Sequence, residues 1–118
     1  MKKQPIEFIE VFRPIGPGEL AKLNELKFAK WPPRLTDQPI FYPVTNEKYA
    51  TEITAWNVKQ FGIGYVTKFK IKKDFLKNYE IKVVGATYQT EWWIPSQNLE
   101  ELNENIIGRI EVISEFKK

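Results

Sequence analysis

Histidine and cysteine are both missing from this chain, so any chemistry it performs must run on carboxylates, guanidinium groups, phenols and indoles. Their absence removes Ser–His and Cys–His relays, thiol nucleophiles, disulfides and Cys/His zinc sites, and no metal site is expected. The densest candidate patch is Gln89-Thr90-Glu91-Trp92-Trp93-Ile94-Pro95. On a strand, Trp92 and Ile94 share one face, while Gln89, Glu91 and Trp93 share the other. A carboxylate flanked by an amide and an indole suits a pocket for a flat polar ring, with Trp93 stacking and Gln89 and Glu91 hydrogen-bonding. Tyr42, Tyr49, Tyr65 and Tyr88 can join such a pocket. The plainer alternative is a cross-strand Glu–Lys pair beside a tryptophan lid.

Arginine is informative because it is scarce: Arg13, Arg34 and Arg109 stand against fifteen lysines. A planar, permanently charged fork binds carboxylate or phosphate bidentately, which lysine does poorly. Arg13 ends an apolar strand face and Arg34 sits in a proline-rich loop, so each is a candidate to line a cleft. The plainer alternatives are a partly buried ion pair with a glutamate for Arg13, and a helix-end or loop-carbonyl contact for Arg34. Gly62-Ile63-Gly64 lacks phosphate-loop spacing and precedes a strand, so it reads as strand-entry glycine. The Lys68/Lys70/Lys72 stripe reads as the wet face of a strand, and Glu100, Glu101 and Glu104 as the solvated face of a helix.

The elements that must position these residues are mixed. Ile6 to Arg13 reads as a strand with Ile9, Val11 and Arg13 on one face and Phe8 and Phe12 on the other. Glu19 to Ala29 reads as a helix presenting Leu20, Leu23 and Leu26. Trp31 to Pro39 is a stiff extended loop. Ile40 to Val44 is an edge strand because of Pro43. Asn46 caps a helix to about Asn57, with Tyr49, Ala50, Ile53 and Trp56 as its inner stripe. Tyr65 to Lys72 is the cleanest strand, and Asp74 to Tyr79 is one or two helical turns. Ile81–Ala86 and Thr87–Ile94 are strands meeting near Gly85. Pro95 opens a last helix to about Asn105, and Gly108 stops it before a final strand, Arg109 to Ile113. Without strict alternation, these predict an α+β class: one domain over 1–118, with a mixed or antiparallel twisted sheet and two to three helices packed on it.

The 118 residues, 42% hydrophobic and 28% charged, are an ordinary globular mixture sized for one domain. The net charge of +3 comes from lysines interleaved with thirteen glutamates, which argues against a nucleic-acid footprint and for solubility. Met1 to Pro5 and the short apolar stretch after it do not form a signal peptide, and no run reaches the ~20 apolar residues of a membrane span. The expectation is a cytoplasmic protein, monomer or homodimer, with no membrane partner.

Phe12-Arg13-Pro14-Ile15-Gly16, Trp31-Pro32-Pro33-Arg34-Leu35, Gln38 through Val44, Tyr49-Ala50, Trp56-Asn57, Gly64 through Thr67, Glu91 through Pro95 and Asn105 through Gly108 resemble a family of small bacterial proteins that carry the label "ADP-ribosylation/crystallin J". The likeness runs from about residue 11 to residue 112, and Pro32 to Val44 is its most specific block. The hydrolases in that label are all-helical and use clustered aspartates for magnesium. This chain has only Asp37 and Asp74, so their chemistry is not expected here. The order of Arg13, the Tyr49-Ala50 helix and Glu91 is also similar to ADP-ribosyltransferase-like folds, although the Ser-x-Thr strand of those folds is not found. That resemblance implies that Arg13 holds a phosphate of NAD, that Trp93 or Tyr49 stacks on a ring, and that Glu91 stabilises the oxocarbenium-like centre as nicotinamide leaves.

The leading expectation is therefore a domain that binds NAD, ADP-ribose or a related nucleotide between Arg13, Arg34, Tyr42, Tyr49, Gln89, Glu91 and Trp93, with no obligatory cofactor. Whether it also transfers ADP-ribose, with Glu91 catalytic, is left open by the sequence. The alternative is a non-catalytic module that binds a protein partner through Trp92, Trp93 and the Pro32–Pro43 loop. A hydrolase with Glu91 as base is a third reading, with few candidates for its second group.

Overall fold

The structure, a computed structural model, describes residues 6–118, so the Met1–Pro5 reading lies outside it. Strand β1 (Phe8–Ile15) leads through Gly16 into helix α1 (Pro17–Glu25), where Pro17 occupies the first turn and wastes no donor. The helix stops four residues short of the expected Ala29. Lys27 and Phe28 both take left-handed backbone (φ 57° and 58°), which ends the helix and turns the chain into the loop that carries Trp31. Strand β2 (Ile40–Phe41) follows the proline loop, and helix α2 runs from Glu47 to Phe61. Asn46 caps α2 by accepting from the Tyr49 amide at 2.8 Å, and Gly62, at φ 81°, terminates it.

Strand β3 (Ile63–Lys72) is followed by a single turn, α3 (Lys73–Leu76), and then by β4 (Ile81–Val83), β5 (Thr90–Trp92) and β6 (Ile94–Pro95). The predicted strands at 81–86 and 87–94 are thus shorter, joined by a turn at Ala86–Gln89. A 3₁₀ turn (Ser96–Asn98) opens α4 (Leu99–Glu104), and β7 (Ile106–Lys117) ends the chain. Gly108 does not stop a helix. It lies inside β7 at φ 75°, where the register with β3 slips between Lys68 and Lys70, so the glycine accommodates a bulge.

Among the described residues every strand pairing is antiparallel and four α-helices accompany the strands, so the class is α+β. β3 is central in a three-stranded sheet of order β1-β3-β7, while β2 pairs β6 and β4 pairs β5. Val44 joins these pieces: it bridges Phe12 of β1 on one side and Glu91 of β5 on the other. The expected edge strand at 40–44 is therefore half interior, and Pro43 is tolerated because the exchanged bonds with β1 come from Val44, at 2.9 and 2.7 Å. The main core gathers Val11, Ile15, Leu23, Trp31, Phe41, Phe69 and Ile71 with α3, α4 and β6 residues. A smaller cluster of Val44, Tyr49, Ala50 and Val66 lies under α2, against Phe12 and Ile53. Among the described residues no helix is long and apolar enough to cross a membrane.

Candidate functional site

A cleft of about 390 Å³ opens between the end of β1, the start of α1, the Tyr42–Val44 segment and α2. Arg13, Glu19, Tyr42 and Glu91 supply its polar wall, and Ile15, Val44, Ile53 and Trp56 its apolar one. Sheet geometry explains how Arg13 and Glu91 both reach it. Directly opposed residues of neighbouring strands share a face, so Phe12, Val44 and Glu91 all point toward α2. Arg13 is one residue on and points to the other face, over the Phe41 ring at 4.5 Å from its centroid. The two groups border one cleft from opposite faces of the strands that Val44 joins.

Glu91 is a buried carboxylate, 9% exposed. Its register partner across β4–β5 is Lys82, which is what the plainer Glu–Lys alternative required. Lys82 turns away instead: its Nζ pairs with Glu80 at 3.0 Å and lies 5.5 Å from the Trp93 ring centroid. Glu91 is held by neutral donors. Tyr49 Oη donates to Oε2 at 3.1 Å, and Trp93 Nε1 donates to Oε1 at 2.7 Å. The Asn46 cap explains why Tyr49 arrives there. Asn46 Nδ2 donates to the Tyr88 carbonyl at 2.7 Å, which pins the first turn of α2 beside β5. Burial and the Glu91 charge push the Tyr49 phenol up to about 12, so it stays protonated and donating across the ordinary pH range.

Arg13 does not offer a free fork. Its Nε and Nη2 donate to the two oxygens of Glu19 at 2.9 and 3.1 Å, so the ion-pair alternative is the arrangement found. Glu19 was missed as a site residue, although an acid in the first turn of a helix six residues after an arginine was the available signal. Arg34 does not line this cleft. It packs against the Phe41 ring, 5.6 Å from the centroid, donates Nη2 to the Ile40 carbonyl at 3.2 Å, and faces a second cavity beside α4. Burial, and then the nearby Arg13 charge, lower its pKa.

Gln89 is the other displaced candidate. It folds back in the Ala86–Gln89 turn, accepting from the Ala86 amide at 2.8 Å and donating to Glu52 at 3.0 Å. Glu52 also accepts from the Tyr88 hydroxyl at 2.5 Å, and these two donors hold its carboxyl below the usual range. Trp93 orients Glu91 rather than stacking in the cleft; its ring meets Tyr42 edge-on at 6.2 Å. Trp92 is in the core at 3% exposure, so it cannot serve a partner surface, and Pro43 is also buried. Trp56 is the reverse case. Expected in the inner stripe of α2, it is 71% exposed at the edge of the cleft, and Thr54 is buried instead. Among the described residues no three His, Cys, Asp or Glu side chains converge as a metal site would require.

No family model, curated protein or solved structure matches this chain.

Proposed function

We propose that this domain binds a small molecule with a flat polar ring in the Glu91 cleft, the ring being of the kind found in NAD. The observation that carries the reading is Glu91 itself: a buried carboxylate on the wall of a cleft, each oxygen oriented by one neutral donor. A carboxylate has about four acceptor positions, so two remain for a ligand. Arg13, Glu19 and Glu91 give the lining a net charge of −1, which favours a cationic or donor-bearing ring such as a pyridinium carboxamide over a bare phosphate. Tyr42 and Trp56 supply aromatic faces beside it. The diphosphate role that the resemblance implies for Arg13 requires Glu19 to be displaced, so the ring end of the nucleotide is the part the cleft supports.

A thermal melt with NAD, nicotinamide and ADP-ribose tests this. At about 100 times its Kd a ligand adds about 2.7 kcal/mol, a rise of roughly 10 °C for a domain of this size. NAD and nicotinamide raising Tm, with ADP-ribose doing so less, is the expected order. No rise with any of the three overturns the proposal.

The second reading is a protein-interaction surface, from which burial removes Trp92 and Pro43 while Trp93 and Tyr42 remain exposed. Trp56, Phe61, Trp93 and Tyr42 are exposed at 71, 52, 45 and 40%, an unusual number of large aromatics for one small surface.

A further inference from the structure

Among the described residues, nothing pairs with the outer edge of β4. The register with β5 decides which groups lie along that edge. The Val84 amide donates to the Gln89 carbonyl at 3.0 Å, and Lys82 stands opposite Glu91, so residues 82 and 84 turn their backbone groups toward β5. The other side of β5 agrees with this. The Trp92 amide donates to the Pro43 carbonyl at 2.9 Å and the Thr90 carbonyl accepts from the Thr45 amide at 3.1 Å, both away from β4. The amides and carbonyls of Ile81 and Val83 therefore point to the open edge, and both side chains are more than half exposed.

Other edges of the fold are protected. β1 has Val44 beside Phe12, while β7 gives its Ile110 amide to the Phe28 carbonyl and carries two slips of register. β4 has neither a proline nor a bulge. Ile81 stands opposite Trp92, and opposed residues share a face, so Ile81 carries the apolar row of the buried Trp92 out to the edge.

Charge decides what fits there. Glu80 and Lys82 flank Ile81 on the other face, where Nζ and Oε2 lie 3.0 Å apart. Two copies of β4, antiparallel about a two-fold axis, can meet through their outward residues in three registers. Centred on Lys82, the pairing sets two ammonium groups opposite each other, which is unfavourable. Centred on Val83, it sets each lysine opposite Val84, and no opposite charges meet. Centred on Ile81, it sets Glu80 of each copy opposite Lys82 of the other, with Ile81 against Ile81 as a hydrogen-bonded pair.

We infer that β4 is a docking edge for a second copy of this chain, paired antiparallel about Ile81, so that two β4–β5 leaves join into one four-stranded sheet. Glu80-Ile81-Lys82 selects a second copy because its charges are complementary to the same segment reversed. Both Glu91 side chains then lie on one face of the joined sheet, although the inference does not rest on what their clefts bind. A strand pair this short buries less than the ~1,200 Å² of stable interfaces, so the association is weak, with a Kd of about 0.1–1 mM.

Sedimentation equilibrium of the intact chain from about 20 μM to about 1 mM reads the mass, and amide spectra over the same range locate the contact. The wild type is expected to move toward twice its monomer mass, with the Ile81 and Val83 amides shifting as it does. Glu80→Lys, at an exposed position, replaces both attractive pairs by repulsive ones and should weaken association at least about tenfold. Adding Lys82→Glu to that variant reverses the pattern and should bring association back. Ile81→Pro removes the central donor at the first position of the strand, where no internal hydrogen bond is lost, and should leave a folded monomer. A single monomer mass up to about 1 mM overturns the inference. So does association of Glu80→Lys or Ile81→Pro at wild-type strength, or a folded double variant as weak as Glu80→Lys. A dimer whose shifts fall on Trp56 and Phe61 overturns it too, and moves the second copy to the aromatic surface.

Discussion

Arg13 and Glu19 bind each other through two parallel hydrogen bonds, Nε and Nη2 to the two carboxylate oxygens at 2.9 and 3.1 Å. The pair is mostly shielded from solvent, with side-chain exposures of 11 and 22%, and the guanidinium rests on the face of Phe41. β1 delivers the cation and the first turn of α1 the anion, with Gly16 and Pro17 forming the corner between them. The result is a self-neutralised edge to the cleft in place of an open anion clamp.

Glu19→Gln should reopen that clamp. The variant keeps the side-chain volume but leaves Arg13 with uncompensated charge, so ADP-ribose affinity should rise about tenfold, the scale of one charge-assisted hydrogen bond. Titration calorimetry on both proteins checks it, and equal affinities would mean that the diphosphate does not reach Arg13.

Glu91→Gln is expected to remove the NAD-induced rise in Tm, and any NAD turnover, while costing less than about 1.5 kcal/mol of stability. The reason lies in the two donors. Trp93 Nε1 can only donate, so the Gln carbonyl must face it, and the amide nitrogen then meets the Tyr49 hydroxyl, which can accept. An unaltered NAD response in a folded variant would take Glu91 out of the site.

Alkaline pH should loosen the protein through Tyr49. Its folded pKa of about 12 lies above the ordinary phenol value of 10. Folding therefore favours the protonated form; the associated stability is complete below about pH 10 and is lost as pH rises toward 12. Denaturant midpoints measured between pH 8 and 12 should fall in the wild type, and fall less in Tyr49→Phe. Parallel profiles for the two proteins would show that Tyr49 is not the group responsible.

Gly64→Ala should destabilise by about 1–3 kcal/mol through overpacking. A Cβ built there meets Thr54 Cγ2 at 2.7 Å, Asn57 Cβ at 3.0 Å and the Thr54 carbonyl at 3.1 Å, where α2 lies closest to β3. By contrast, Gly18→Ala meets nothing within 4 Å, so its urea midpoint should stay near wild type. Similar midpoints for both variants would contradict the close approach.

Local signals in the sequence located most of the elements, because their causes are local. Asn46 as a cap and the alternation of Phe69 and Ile71 are each readable within a few residues, whereas Gly62, read as a strand-entry glycine, also ends α2 four residues beyond the expected Asn57. The ends were harder. The left-handed Lys27 and Phe28, which shorten α1, have no glycine to announce them. Trp56 matched the helical period of a buried stripe, yet lies outside it, because α2 meets β3 there through Thr54 and Asn57, which pack against Gly64. Of the site, alternation correctly grouped Glu91 with Trp93. It misplaced Gln89 because the chain turns at Ala86–Gln89 before the strand begins, and it could not foresee that Arg13 and Glu91 approach from opposite faces. That relation depends on Val44, whose two pairings are long-range and leave no local trace.

The single pairing of Phe12 with Val44 also has a mechanical meaning. The leaf formed by β4 and β5 is fastened to the three-stranded sheet, as far as the ladder goes, by one residue pair and its two hydrogen bonds. Openings of that leaf are then separable from global unfolding, in the manner of a partial unfolding unit. Amide protons of Thr90–Trp92 should exchange sooner than those of Val66–Ile71 at the centre of β3. Glu91 thus rides on the flap side of the seam, and whatever fills the cleft beside it would act as a latch, holding the two leaves closed.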